Sequence, residues 1–489
     1  MMAYILGIDQ STQGTKAILT DEDGKIIGRA DRNHRQIINE QGWVSHDLEE
    51  IYQNVLHSVR DVVEKTSISR DEIRAVGISN QRETTAVWHR SGQPLNDAVV
   101  WQCSRAKEIV SDLREKGGVI KRKTGLPLSP YFPAAKMAWL LKNTKTLFEK
   151  SIMPEEICLG TMDSWLIYRL TGGRSFKTDY SNASRTQLFH IHDLKWDEEI
   201  CACFEIPERA LPEVCGSDSV FGMTDFEGFL NREIPIHSAM GDSHAALFGQ
   251  GCHRSGMVKT TYGTGSSIMM NTGDNCVASR HGLVTSLAWG IDGKVSYVLE
   301  GNINYTGAVI TWLKDDLKLI ASPAETKDAA MRANPNDRTV LVPAFSGLSA
   351  PYWNDNARAV IYGMTRTTGK NELIRAALDS IALQIQAVID AMEKDSGMKI
   401  RELRVDGGPT RNDYLMQMQS DLSAADVAVA RVEELSALGA AYLAGIGTGI
   451  YNKEKLFGTD GRKFYRPQMQ QKEREKRLRD WEEAVQRTQ

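Results

Sequence analysis

The chain has 489 residues, too many for one hydrophobic core, so two domains of roughly 240 residues each are expected. Hydrophobic residues make up 41% and charged residues 25%, which excludes a disordered or fibrous class. A net charge of −4 gives no bulk attraction to nucleic acid or anionic membrane, so neither is expected as a partner.

Residues 3–9 form a short apolar run of buried-strand type, followed by the polar turn Gln10-Ser11-Thr12-Gln13-Gly14 and a second strand over 15–20. The turn at 21–24 leads into a third strand over 25–32, making a meander. Residues 51–65 and 135–147 have helical periodicity, and 73–79 read as a buried strand running into Asn80-Gln81-Arg82-Glu83-Thr84-Thr85. Gly241-Asp242 closes another strand before the helical run 245–248. Glycines at 249 and 251 mark the expected boundary between a domain over 1–249 and another over 250–489.

The second half opens as the first does, with a strand over 256–261, the turn Tyr262-Gly263-Thr264-Gly265 and a strand over 266–271. An internal duplication and coincidence both account for this. A long amphipathic helix follows over 371–392, then a strand over 403–406 ending in Gly407-Gly408, and a small-residue helix over 435–443. The tail, 470–487, reads as a surface helix docked by Leu478, Trp481 and Val485. The seven cysteines are dispersed without paired spacing, and no apolar run nears the ~18 residues of a membrane span. Together with the absence of a cationic leader before the first strand, they give the expectation of reduced thiols in a cytoplasmic protein.

Arg82 and Glu83 lie side by side, one a donor only and the other an acceptor only, a fork suited to two neighbouring hydroxyls. Asp242 could take the proton of a reacting hydroxyl; a helix N-cap is the competing reading, and His244 is expected at the surface or in a cap. Asp9 ends a strand ahead of Ser11, Thr12, Gln13 and Gly14, whose hydroxyls, N–H groups and missing Cβ suit a phosphate cradle beside a Mg²⁺-holding carboxylate. Thr264 offers a second such turn. Gly407-Gly408, with Asn412 in reach, would let a flat base or ribose lie on the backbone, or would be a tight strand-to-helix turn. Neither a Gly-x-x-x-x-Gly-Lys-Ser/Thr loop nor a first-strand Gly-x-Gly-x-x-Gly is present.

Two stretches carry a resemblance. One is Tyr131-Phe132-Pro133-Ala134-Ala135-Lys136-Met137-Ala138-Trp139-Leu140; the other spans 359–379 with Tyr362-Gly363-Met364-Thr365 and Glu372-Leu373. With 80–85, 100–103, 179–186 and 245–250, they make the chain similar to the FGGY carbohydrate kinases, and most similar to the glycerol kinases among them. The resemblance runs from Asp9 to about Ala444. It implies an α/β two-domain fold of the actin, hexokinase and Hsp70 (ribonuclease H-like) type, with ATP and Mg²⁺ in the interdomain cleft. It also implies Asp242 as catalytic base, and Arg82, Glu83 and Tyr131 as a polyol clamp with Trp101 as an aromatic wall. Thr12, Gln13, Gly14, Lys16, Thr264, Gly307, Thr311, Gly408 and Asn412 become ATP-binding positions, and Asp9 the Mg²⁺-associated carboxylate. A homodimer or homotetramer is implied by analogy alone.

The chain departs from glycerol kinases at Ser243 (a glutamine there), Ser267 (a phenylalanine) and Asn304 (an aromatic). These make a larger and more polar pocket, so a four- or five-carbon polyol or ketose is expected as well as, or instead of, glycerol. A ketose kinase of the xylulose or ribulose type is one alternative, and a non-catalytic ATP-binding sensor of the same fold another. Asn231-Arg232-Glu233 replaces a phosphate-binding Gly-x-Arg loop, so inhibition by a sugar bisphosphate is expected to be absent.

Overall fold

Two large mixed sheets, one from each half of the chain, carry this computed structural model, which describes residues 2–149, 152–457 and 461–488. In the first sheet the spatial order is Gly222–Thr224, Ile234–Gly241, Ile73–Asn80, Tyr4–Gln10, Gly14–Thr20, Ile26–Asn33. Tyr4–Gln10 is buried at every position, pairing antiparallel with Gly14–Thr20 and parallel with Ile73–Asn80. A strand covered on both faces is mostly apolar, which is why residues 4–8 read as a run and not an alternation, with polar Asp9 and Gln10 only at the strand end.

The helix Leu48–Thr66 covers this sheet with Leu48, Ile51, Tyr52, Val55, Val59, Val62 and Val63, the spacing of one helical face. Asp47 caps its start by accepting from the Glu49 and Glu50 N–H groups, and Ser67 ends it in the left-handed conformation. Burial of each large apolar side chain there contributes about 1.5–3 kcal/mol, more than the cap does.

In the second sheet the order is Val284–Ile291, Lys294–Ile303, Ser266–Gly273, Val258–Tyr262, Glu402–Asp406, Asp426–Val429, Lys463–Tyr465. Val258–Tyr262 pairs antiparallel with Ser266–Gly273 and parallel with Glu402–Asp406. Both sheets thus share a plan. A hairpin is flanked on one side by a third antiparallel strand and on the other by two parallel strands. The likeness of the two halves has this topological basis.

Two helices lie between the sheets. Asp242–Gly249 and Leu435–Gly447 touch backbone to backbone: a Cβ on Gly439 would stand 1.9 Å from the Ala245 carbonyl oxygen, and one on Gly249 2.6 Å from that of Leu435. The second helix also lies on the first sheet, since a Cβ on Gly77 would meet the Ala440 oxygen at 2.1 Å. A division at 249–250 therefore follows the chain but not the packing, because Leu435–Gly447 stacks on strands of the first half.

A smaller five-stranded sheet includes Thr85–His89 and Ala98–Val99, so residues 81–84 link it to the large sheet through Ile73–Asn80. The helix expected over 135–147 is two helices, Pro133–Asn143 and Lys145–Glu149. Thr144 between them is extended, its hydroxyl accepting from Asn96 Nδ2 at 3.1 Å. The tail helix Gln471–Gln486 docks as expected, with Trp481 and Val485 buried in the second-lobe core. Among the described residues no helix is long and apolar enough to cross a membrane.

Candidate active site

Three parallel strands bring the first lobe's chemistry to one edge. In register, Asp9 lies beside Ser79, Ser79 beside Met240, and Asn80 beside Gly241, so Asp9, the 80–83 segment and Asp242 all emerge at the carboxyl ends of these strands. That edge is where open α/β sheets bind ligands.

Asp242 is the first residue of its helix, and Gly241 is the cap, so the N-cap reading of Asp242 is corrected. Gly241 is fixed by its N–H, which donates to Ser181 Oγ at 2.9 Å, and its Cβ would lie 2.6 Å from Arg82 Cγ. The Asp242 side chain keeps 35% exposure, enough to meet a ligand from the cleft. His244, expected at the surface, is fully buried; burial and then Arg82 lower its pKa well below the ordinary value, so it is neutral.

Arg82 and Glu83 do not form an isolated fork. Glu83 has φ of 60°, which turns its side chain away from that of Arg82 and into a buried ion pair with Arg185 Nε at 2.6 Å. Arg82 donates through Nη1 and Nη2 to the two oxygens of Glu300, at 3.0 and 2.9 Å, through Nε to Asp242 Oδ1 at 3.1 Å, and through Nη2 to Ser243 Oγ at 3.2 Å. Four of its five N–H groups are taken among the described residues, leaving one on Nη1. Glu83 likewise keeps Oε2. One donor and one acceptor therefore remain, by subtraction rather than by adjacency.

Burial opposes the charges of Arg82 and Glu300, yet Glu300, Glu83 and Asp242 hold Arg82 protonated, and Arg185 with Arg82 holds the Glu300 carboxyl far below its usual range. Tyr131 and Trp101 meet edge to face at 5.6 Å beside this cluster, and burial pushes the Tyr131 hydroxyl up, so it is un-ionised. Lys136, wholly buried, donates to the Tyr131 carbonyl and thereby anchors that wall; burial lowers its pKa to about 7.

Asp9 accepts from Ser79 Oγ at 2.8 Å, and burial followed by the charge of Asp242 raises it to about 7. The turn after it is tied to the aromatic wall, because Trp101 Nε1 donates to Thr12 Oγ1 at 3.0 Å. Gly14 is required by packing as well: a Cβ there would lie 2.5 Å from the Arg32 carbonyl oxygen. Gln13 is exposed, and Lys16 pairs with Glu434 at 2.9 Å, just ahead of the helix Leu435–Gly447.

On the facing lobe, Asp406, Thr261, Ser267 and Asn302 are register partners across four strands, a polar row on one face. Ser267 Oγ and Lys259 Nζ are buried and, among the described residues, have no hydrogen-bond partner. The turn Gly263–Gly265 packs on the start of the helix Gly307–Thr311, the Gly307 N–H donating to the Gly263 oxygen at 2.9 Å. Thr264 and Thr311 are exposed. Gly407 has φ of 99° and its Cβ would stand 1.9 Å from the Tyr262 oxygen, whereas a Cβ on Gly408 meets nothing within 4 Å. Asn412 caps the helix Asp413–Ser423. Only the second glycine of the pair thus leaves open space above the backbone.

Sequence reasoning missed Glu300, Arg185 and Lys259 as members of this cluster. For Glu300 and Lys259 the signal was available: a charged residue inside an apolar strand, as at Val298-Leu299-Glu300 and Val258-Lys259, is expensive to bury.

Residues 4–249 match the model of the FGGY family of carbohydrate kinases, N-terminal domain, and residues 258–448 match its C-terminal domain. A glycerol kinase of Caldanaerobacter subterraneus subsp. tengcongensis is 46% identical, covering 100% of this chain and 99% of its own. Glycerol kinase 2 of Thermotoga maritima is 45% identical with the same coverage. Among solved structures, Plasmodium falciparum glycerol kinase with ADP superposes with a TM-score of 0.92 at 36% identity, covering 100% of this chain and 98% of that one. A xylulose kinase of Lactobacillus acidophilus, at 24% identity and TM-score 0.86 over 99% and 97% of the two chains, shares the fold.

Proposed function

This chain belongs to the FGGY family of carbohydrate kinases and transfers a phosphoryl group from ATP to a hydroxyl of a small polyol or sugar; we propose that Asp242 is the base of that transfer and that Arg82 and Glu83 grip the acceptor. The observation that carries the assignment is the juncture at which Arg82 Nε meets Asp242 Oδ1 while one Arg82 N–H and one Glu83 oxygen stay free. A hydroxyl accepting from that N–H, with its neighbour donating to Glu83, is held in one orientation. Asp242 then takes the proton as the oxygen attacks; a placed base contributes about 10²–10⁴-fold. Trp101 and Tyr131 wall the carbon chain and keep water from competing as acceptor.

We assign the donor side to Thr264, Gly307, Thr311, Gly408 and Asn412, with Thr12, Gln13, Gly14 and Lys16 facing it from the first lobe. The open backbone at Gly408 supports a nucleotide there. Lys16 would have to leave Glu434 to reach a phosphate. Asp9 suits Mg²⁺: it is a buried carboxylate near the charge of Asp242, raised to about 7 although Lys16 acts against that rise, and Mg²⁺ takes one or two carboxylates with phosphate oxygens and water. When bound, it would neutralise charge on the phosphates.

The acceptor we favour has four or five carbons. Ser267 supports this, because its buried hydroxyl has no partner among the described residues and can receive a further substrate hydroxyl, while Ser243 and the exposed Asn304 leave room. A ketose acceptor is the second reading, favoured by the same three residues. A coupled assay of ADP release across glycerol, tetritols, pentitols and ketopentoses decides: catalytic efficiency for glycerol far above all the others refutes the larger acceptor. The Glu233 carboxylate is engaged by Arg174, so we expect added sugar bisphosphate to leave the rate unchanged. We further propose a cytoplasmic homodimer or homotetramer; all seven cysteines are free thiols, as that compartment favours, and light scattering measures the assembly.

A further inference from the structure

Glu300 comes from the second lobe, on the strand Lys294–Ile303, yet its oxygens face two first-lobe arginines. It takes two parallel N–H groups of Arg82, at 3.0 and 2.9 Å, and Arg185 Nη1 stands 2.8 Å from Oε2. Its side chain has no exposure, and its neighbours Leu299 and Gly301 are buried. A carboxylate in such a place costs several kcal/mol to dehydrate, and an apolar residue of that size would serve stability as well or better. What the charge does achieve is geometric. It sets the plane of the Arg82 guanidinium, so that Nε reaches Asp242 and a single Nη1 hydrogen is left over.

Without Glu300 the guanidiniums of Arg82 and Arg185 would lose the carboxylate they share, with Glu83 still paired to Arg185. Arg82 would then turn its freed N–H groups to Asp242, the nearest remaining carboxylate, which it already touches at 3.1 Å. The clamp would lose its aim and the base would be tied up in a two-point ion pair. We propose that Glu300 is a positioning residue that orients Arg82 from the opposite lobe, so that the donor-side domain completes the acceptor clamp. The proposal rests on the assignment of Arg82 and Glu83 to the acceptor.

The test is Glu300→Gln, which keeps the shape and removes the charge, with Glu300→Asp as the conservative partner, both in the full-length enzyme. For the best acceptor of the panel, Glu300→Gln should raise the acceptor KM about 10–100-fold, the range for a lost charge-assisted hydrogen bond. ATP affinity, measured by calorimetry without acceptor, should stay within about twofold of wild type, because Glu300 is not among the residues assigned to the nucleotide. Glu300→Asp should recover part of the acceptor KM. An unchanged acceptor KM, or an equal loss of ATP affinity, would overturn the proposal. Should Glu300→Gln fail to fold, Glu300→Met with Arg185→Met removes one charge of each sign, and a wild-type acceptor KM in that double variant refutes the idea. A wild-type enzyme that phosphorylates no acceptor refutes the functional reading instead, so the two failures are distinct.

Discussion

The two lobes open with the same hairpin, and the two turns serve different neighbours. In the first, the strand Tyr4–Gln10 delivers the carboxylate of Asp9, and Thr12 accepts from Trp101, so the turn is joined to the acceptor wall. In the second, Gly263–Gly265 carries no charge, and its carbonyls accept from Thr306, Gly307 and Ala308 N–H groups at the head of a helix. A Cβ on Gly265 would meet the Ile303 oxygen at 2.2 Å, so close packing governs that turn. Repetition of a sheet supplies a scaffold twice, and the residues at each strand end and turn give each copy its own neighbours.

The sharpest way to break this comparison is Asp242→Asn. If the first lobe owns the acceptor chemistry, kcat falls by about 10²–10⁴-fold while ATP binding, read by calorimetry, is kept. A matched loss of ATP affinity would erase the distinction between lobes. Next in size is the glycine pair of the second lobe. Gly407→Ala forces a Cβ to 1.9 Å from a carbonyl oxygen at φ of 99°, so thermal melts should show a loss of about 3 kcal/mol or more, or no folded protein. Gly408→Ala should melt as wild type and raise only the KM for ATP.

The smallest effect concerns Asp9, with metal and nucleotide absent. Its folded pKa of about 7 lies above the ordinary 3.8, so folding favours the protonated form. That contribution is present below about pH 4 and is lost as pH rises through 7. Asp9→Asn should therefore gain a few degrees in Tm over wild type at pH 8 and almost none at pH 4. Thr264→Ala, at the equivalent turn, should show no such pH dependence.

Much of the fold is legible in single stretches. Apolar runs ended by glycine or a polar turn mark both hairpins, and the alternating faces of the helices over 51–65 and 371–392 mark their burial. The strand-end position of Asp242 is legible too. The partners are not: Arg82 and Glu83 invite a reading as a pair because they adjoin, but the left-handed backbone at Glu83 separates them. Their actual companions lie 218 and 102 residues away. His244 gave no sign of burial, because one imidazole near a helix start looks the same in a cap and in a core. Gly14 has a packing reason that no local pattern shows, the carbonyl oxygen of Arg32.

The sequence by itself determined the elements, their order and the residue types at each strand end, since these follow from periodicity and turn chemistry acting over a few neighbours. Only the tertiary structure decided that Glu300 meets Arg82, and that Leu435–Gly447 crosses back to the first sheet. Charges choose partners by distance in space, and that distance exists only once the strand ends of both lobes have met.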